Sequence, residues 1–74
     1  MQKIIVTGGL GFIGSNLIDL LLKKNFFVIN LDKISYSSNF YNIKNFEKNK
    51  NYRFEKCNLT NKNNLSKIIH KYKP

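Results

Sequence analysis

Two groups of residues in this chain have types and spacing suited to chemistry. The first is a glycine cluster. Gly8, Gly9, Gly11 and Gly14 are all the glycines there are, gathered in Thr7-Gly8-Gly9-Leu10-Gly11-Phe12-Ile13-Gly14-Ser15. The second is Asp32 with Lys33 beside it, about 20 residues further on. Glycine loses more conformational freedom on folding than any other residue. Its concentration in one run therefore implies a backbone that bends sharply and lets another group come close. The spacing Gly9-x-Gly11-x-x-Gly14, overlapping Gly8-x-x-Gly11-x-x-Gly14, suits a phosphate-bearing ligand seated on a helix N-terminus. Gly8 allows a tight exit from a strand, Gly11 allows backbone against a pyrophosphate, and Gly14 allows close helix packing.

The elements that must position these residues are legible in the pattern around them. Residues 3–7 form a continuous, mostly β-branched run, as in a parallel strand buried on both faces. Residues 12–24 carry apolar side chains at 13, 17, 20 and 21 and at 18 and 22, a wide helical stripe ending in Lys23-Lys24, where the helix dipole favours cations. Phe12 and Ile13 open that helix, so their N–H groups can point at phosphate oxygens. Residues 26–31 read as a second buried strand with Asp32 at its carboxyl end. Residues 35–39 are turn-like. Residues 40–47 suit a short helix with Phe40, Ile43 and Phe46 inward. Residues 52–56 alternate as a third strand, and Asn61 caps a helix over 62–72 with Leu65, Ile68 and Ile69 inward.

Strand, helix, strand, short helix, strand, helix is the opening of a Rossmann-type doubly wound α/β sheet, the first βαβαβα portion only. Right-handed crossovers predict the strand order 3-2-1. The first strand is then an open edge, so residues 1–74 read as the amino-terminal part of a single dinucleotide-binding domain, cut before strand 4. In that frame the Asp32 carboxylate can accept hydrogen bonds from adenosine ribose hydroxyls and repel a 2′-phosphate, which predicts NAD rather than NADP. Lys33 blunts this preference, since it could reach a phosphate. A glycine turn that binds nothing is the plain alternative. A P-loop is excluded, because Ser15-Asn16 stand where Lys-Ser/Thr is required.

The glycine run resembles the opening of the extended short-chain dehydrogenase/reductases, the nucleotide-sugar epimerases and dehydratases. Asn30-Leu31-Asp32-Lys33-Ile34-Ser35-Tyr36-Ser37-Ser38-Asn39, with Asn42-Ile43 and Asn51-Tyr52-Arg53-Phe54, is similar to the dTDP-glucose 4,6-dehydratase family. UDP-glucose 4-epimerases usually carry a different loop there. The resemblance covers essentially the whole chain. It implies that Phe12 and Ile13 contact the pyrophosphate, that Asp32, Lys33, Ile34 and Ser35 hold the adenosine ribose and its surroundings, and that Asn58-Leu59 flank the adenine. The family usually has Asp at the position of Asn58. An amide can still accept from the adenine amino group but carries no charge, which predicts weaker adenine binding.

The resemblance also implies an NAD cofactor, a nucleotide-sugar substrate and a homodimer for the complete protein. The family's reaction removes the sugar 4-hydroxyl proton with a tyrosinate while NAD takes the C4 hydride. Water is then eliminated across C5–C6 and the hydride returns at C6. Its Tyr-x-x-x-Lys pair, threonine and Asp-Glu pair fall beyond residue 74, so no catalytic residue is expected here. Tyr36 and Tyr72 lack a lysine four residues on. Tyr52 has Lys56, but along a strand that spacing separates them by about 13 Å. His70 reads as a solvated helix residue and Cys57 as a small, half-buried apolar one. An epimerase of the same superfamily and a non-catalytic dinucleotide sensor are the other readings.

Composition adds bounds. Thirteen Lys and Arg against four Asp and Glu leave a formal charge of +9. The lysines are scattered among Asn, Ile, Tyr and Phe and form no dense arm, so no nucleic-acid partner is expected. One cysteine rules out an internal disulfide and suits a reducing compartment. No run reaches the about 18 apolar residues of a membrane span, and no signal peptide is visible. A cytoplasmic location, without membrane association or a metal site, is the expectation.

Overall fold

A computed structural model describes residues 2–33 and 40–73. The elements are β1 (Lys3–Thr7), α1 (Phe12–Lys23), β2 (Phe27–Asp32), a 3-10 turn over Phe40–Ile43, β3 (Tyr52–Lys56) and α2 (Lys62–Tyr72). The strands form one parallel sheet in the order β1-β2-β3, the order expected from the sequence. Val6 pairs with Asn30, and Asn30 with Phe54, so the middle of β2 lies under both neighbours. This is the Rossmann-like α/β arrangement.

The sheet separates two apolar layers. On one side Val6, Leu10, Ile18, Leu22, Val28, Ile43, Phe46 and Tyr52 pack together under α1 and the 3-10 turn. On the other, Ile29, Leu31 and Cys57 pack with Ile68 and Tyr72 of α2. Side chains along a strand alternate between faces. Val28, Asn30 and Asp32 of β2 therefore share the α1 side, and Ile29 and Leu31 the α2 side.

Several boundaries differ from the sequence reading for identifiable reasons. Helix α1 stops at Lys23 because Asn25 adopts a left-handed conformation (φ 67°). The Asn25 N–H donates to the Leu22 carbonyl and the Phe26 N–H to the Leu21 carbonyl, both at 3.1 Å. This is the Schellman arrangement, and it turns Phe26 onto Leu21 beside the first layer. The strand accordingly starts at Phe27 and includes Asp32. The helix expected over 40–47 is a single 3-10 turn followed by hydrogen-bonded turns, with Ile43 and Phe46 buried as anticipated.

The broad apolar stripe of α1 is only half used. Ser15, Ile18 and Leu22 are buried, whereas Ile13, Leu17 and Leu20 are exposed, because the three-stranded sheet covers one side of the helix. On α2 the inward row is Leu65, Ile68 and Tyr72, at helical spacing. Ile69 lies one step round and is exposed. Asn61 caps α2 as expected, its side chain accepting from the Asn64 N–H at 3.1 Å. No helix among the described residues is long and apolar enough to cross a membrane.

Candidate functional site

The glycine run becomes a turn between β1 and α1. Gly8 takes φ +70°, a conformation glycine enters at little cost, and its carbonyl accepts from the Gly11 N–H at 3.1 Å. Gly14 has a different job from the one expected. A Cβ there would stand 2.5 Å from the Gly8 carbonyl oxygen, so this glycine lets the first turn of α1 fold back onto the turn backbone rather than onto the sheet. At Gly11 the nearest neighbour to an added Cβ is that same carbonyl, at 3.4 Å.

Strand β2 and the 3-10 turn hold this loop. The Gly8 N–H donates to the Leu31 carbonyl at 2.9 Å. The Gly9 N–H donates to Asn30 Oδ1 at 2.9 Å, and the Leu10 N–H donates to Asp32 Oδ2 at 3.1 Å. Asn42 Nδ2 donates to the Leu10 carbonyl at 3.0 Å. Leu10 itself is fully buried, a plug that fixes the turn to the layer below. Four hydrogen bonds from within the chain thus hold the turn.

Gly11 is the N-cap of α1, with no side-chain cap and no acidic residue in the first turn. The helix start therefore presents its N–H groups and partial positive charge without an internal carboxylate. The Phe12 and Ile13 side chains are exposed (74% and 83%), so any hold they have on a phosphate comes from their backbone.

A cleft of about 430 Å³ opens beside this helix start, lined by Thr7, Gly8, Gly11, Leu31, Asp32, Lys33, Cys57, Asn58, Leu59 and Thr60. That size is within the range of small-molecule sites. The Cys57 N–H donates to the Asp32 carbonyl at 3.0 Å, extending the pairing of β2 and β3 and carrying Asn58-Leu59 to the cleft rim. Of the residues expected to serve the cofactor, Gly8, Gly11, Asp32, Lys33, Asn58 and Leu59 meet on this cleft. Phe12, Ile13 and Gly14 form the adjoining helix start. Ile34 and Ser35 lie outside the described residues.

Two details qualify the expected roles. Asp32 is buried and already holds Leu10, so it works on the turn as well as facing the cleft. Asn58 Oδ1 accepts from the Thr60 N–H at 3.0 Å and from Thr60 Oγ1 at 2.9 Å. An adenine amino group bonding there would compete with the Thr60 hydroxyl. Cys57 is buried rather than half-buried, and His70 is exposed as read. Among the described residues no cluster of His, Cys, Asp and Glu could hold a metal.

Sequence reasoning missed Asn30, Asn42, Thr7 and Thr60. Asn30 had a visible signal, since it is an amide inside the apolar strand Phe27–Asp32. Asn42 stood in the family-like pair Asn42-Ile43, but its bond to the turn had no local signal, because the partner is a backbone carbonyl 32 residues away.

Residues 5–74 match the GDP-mannose 4,6 dehydratase family. The dTDP-glucose 4,6-dehydratase of Haemophilus influenzae is 43% identical over 75 residues, a match spanning 100% of this chain and 22% of that protein. The crystal structure of dTDP-glucose 4,6-dehydratase from Bacillus anthracis in complex with NAD superposes with a TM-score of 0.90. It is 37% identical and covers 96% of this chain and 24% of that one. UDP-glucose 4-epimerase from Thermotoga maritima, solved with UDP-glucose, gives a TM-score of 0.84 at 32% identity, over 99% of this chain and 22% of that one. The chain thus spans about a fifth of the length of the curated relatives it matches. With 70 of its residues aligned to the family, and a fold that superposes on that of the Bacillus anthracis dTDP-glucose 4,6-dehydratase, the chain belongs to the GDP-mannose 4,6-dehydratase family.

Proposed function

We propose that this chain is the part of an NAD-dependent nucleotide-sugar dehydratase, of the dTDP-glucose 4,6-dehydratase type, that holds the adenosine and pyrophosphate of the cofactor. It is the amino-terminal portion of one dinucleotide-binding domain, and the catalytic side chains are supplied by the remainder of the protein. The observation that carries this reading is convergence on one cleft. A glycine turn held by hydrogen bonds within the chain, an anion-ready helix start and the Asp32 carboxylate all border it.

The residues fit the cofactor. The N–H groups of Phe12 and Ile13 serve the pyrophosphate, Asp32 accepts from the adenosine ribose hydroxyls, and Asn58-Leu59 border the adenine. Asp32 also disfavours a 2′-phosphate by charge and by occupying its place. Bound NAD supplies reversible hydride transfer; this chain's residues bind it and orient it.

Calorimetric titration of the full-length protein tests the assignment. NAD should bind at least about tenfold more tightly than NADP, a difference of about 1.4 kcal/mol. Equal affinities, or no binding of NAD, would refute it. Incubation with dTDP-glucose should give a product lighter by one water. The Thermotoga maritima structure favours one second reading, a nucleotide-sugar 4-epimerase. That enzyme would leave the substrate mass unchanged.

A further inference from the structure

Asn30 occupies an unusual position for an amide. It is completely buried in the central strand of the sheet, between Ile29 and Leu31, and both ends of its side chain are engaged. Oδ1 accepts from the Gly9 N–H at 2.9 Å, and Nδ2 donates to Tyr52 Oη at 3.1 Å. Gly9 N–H can only donate, so it must meet the oxygen of the amide. The nitrogen is thereby turned toward β3, where the Tyr52 hydroxyl accepts it. A Cβ at Gly9 would run into the Asn30 side chain and Ile18. The turn is seated directly on this amide.

Tyr52 is itself fixed. It is buried in the first apolar layer and stands edge-on to Phe46, with ring centroids 5.1 Å apart. Burial raises its hydroxyl above the ordinary tyrosine range; the Asn30 bond opposes that, and the charges of Asp32 and Glu47 add to the rise. The phenol therefore stays protonated and neutral, and its oxygen is a stable acceptor.

We propose that Asn30 and Tyr52 are positioning residues for the pyrophosphate: a buried relay from β3 through β2 that sets the height and tilt of the Gly8–Gly11 turn. Neither touches the ligand. Their effect reaches the phosphates through Gly9 N–H, one residue before the Leu10 amide that Asp32 holds. The relay deepens the NAD reading above and rests on it for its ligand. It predicts that the pyrophosphate, and not the adenosine, is sensitive to changes inside the sheet.

Tyr52→Phe in the full-length protein is the decisive variant, because it keeps the ring packed against Phe46 and removes only the acceptor. It should melt as a folded protein, bind NAD about tenfold more weakly, and bind adenosine as the parent does. Amide exchange at Gly9 should be faster. Asn30→Ala should lose more NAD affinity in the same pattern; if it fails to fold, Tyr52→Phe alone decides. Unchanged NAD affinity with unchanged Gly9 protection would overturn the relay. Parallel losses for NAD and adenosine would also overturn it, since they mark general loosening. If the parent protein binds no NAD, the cofactor reading fails. Faster Gly9 exchange in Tyr52→Phe would still support the relay, and unchanged exchange would sink it.

Discussion

At the scale of single residues, the proposed function gives Asp32 two tasks. Under that proposal its charge bears on the choice between NAD and NADP, while its Oδ2 accepts from the Leu10 N–H at 3.1 Å. Substitutions can separate them. Asp32→Asn keeps a side-chain acceptor for Leu10 and removes the charge, so NADP should gain on NAD with the turn intact. Asp32→Ala removes both, leaves the Leu10 amide without its acceptor, and should weaken both dinucleotides. Loss of a hydrogen bond that leaves a buried donor unpaired costs about 1–3 kcal/mol, so the common loss should reach about tenfold or more. Titration of both variants with both cofactors checks this. If Asp32→Ala and Asp32→Asn behave alike, the bond to Leu10 is irrelevant to binding.

At the scale of elements, order and type were legible because the first two strands are apolar runs of parallel-sheet character, the third alternates, and each helix carries a cap or a dipole-matched end. What stayed hidden were long-range polar contacts. Asn42 reaching Leu10 and Tyr52 reaching Asn30 leave no local pattern. The left-handed Asn25 was also hidden, since asparagine is only one of several residues found at such a stop. Periodicity similarly over-assigned the inward faces. It counts apolar positions but not how much sheet there is to cover them, as exposed Leu17, Leu20 and Ile69 illustrate.

The docking of α2 makes a pH prediction at this scale. Glu55 of β3 accepts from the Tyr72 hydroxyl and from Lys71 Nζ at 3.0 Å. The Tyr72 bond holds its carboxyl below the ordinary glutamate range, outweighing the opposing effect of burial, and Lys71 adds a lesser pull in the same direction. A lowered folded value means stability that is present above the unfolded pKa, about 4.3, and lost as pH falls through the lower folded one. Melting temperature should thus drop on acidification below about pH 4. Glu55→Gln should lower it at neutral pH and flatten that part of the profile. An unchanged slope would show that the Glu55 contacts do not couple to folding.

For the molecule as a whole, β1 pairs among the described residues with β2 alone, and α1 exposes Ile13, Leu17 and Leu20. A chain of 74 residues buries a modest share of its surface, and a free apolar strand edge invites pairing with other chains. The isolated 74-residue chain should therefore unfold over a broad range, at temperatures that vary with protein concentration. A sharp, concentration-independent melt of a monomer would contradict this. The same surfaces explain why the site is well formed while the molecule is thinly covered: the turn is held from below by β2, not from its exposed flank.

The alternation along β2 has a consequence for folding fidelity. Asn30 and Asp32 share the face that meets the glycine turn, while Ile29 and Leu31 meet α2. A slip of one residue in pairing would exchange the faces. It would press an amide and a carboxylate against Leu65, Ile68 and Tyr72, and leave the Gly9 and Leu10 amides facing aliphatic carbon. The two polar residues that shape the glycine turn thus also act as a key for strand alignment, penalising the misregistered sheet at the moment it forms.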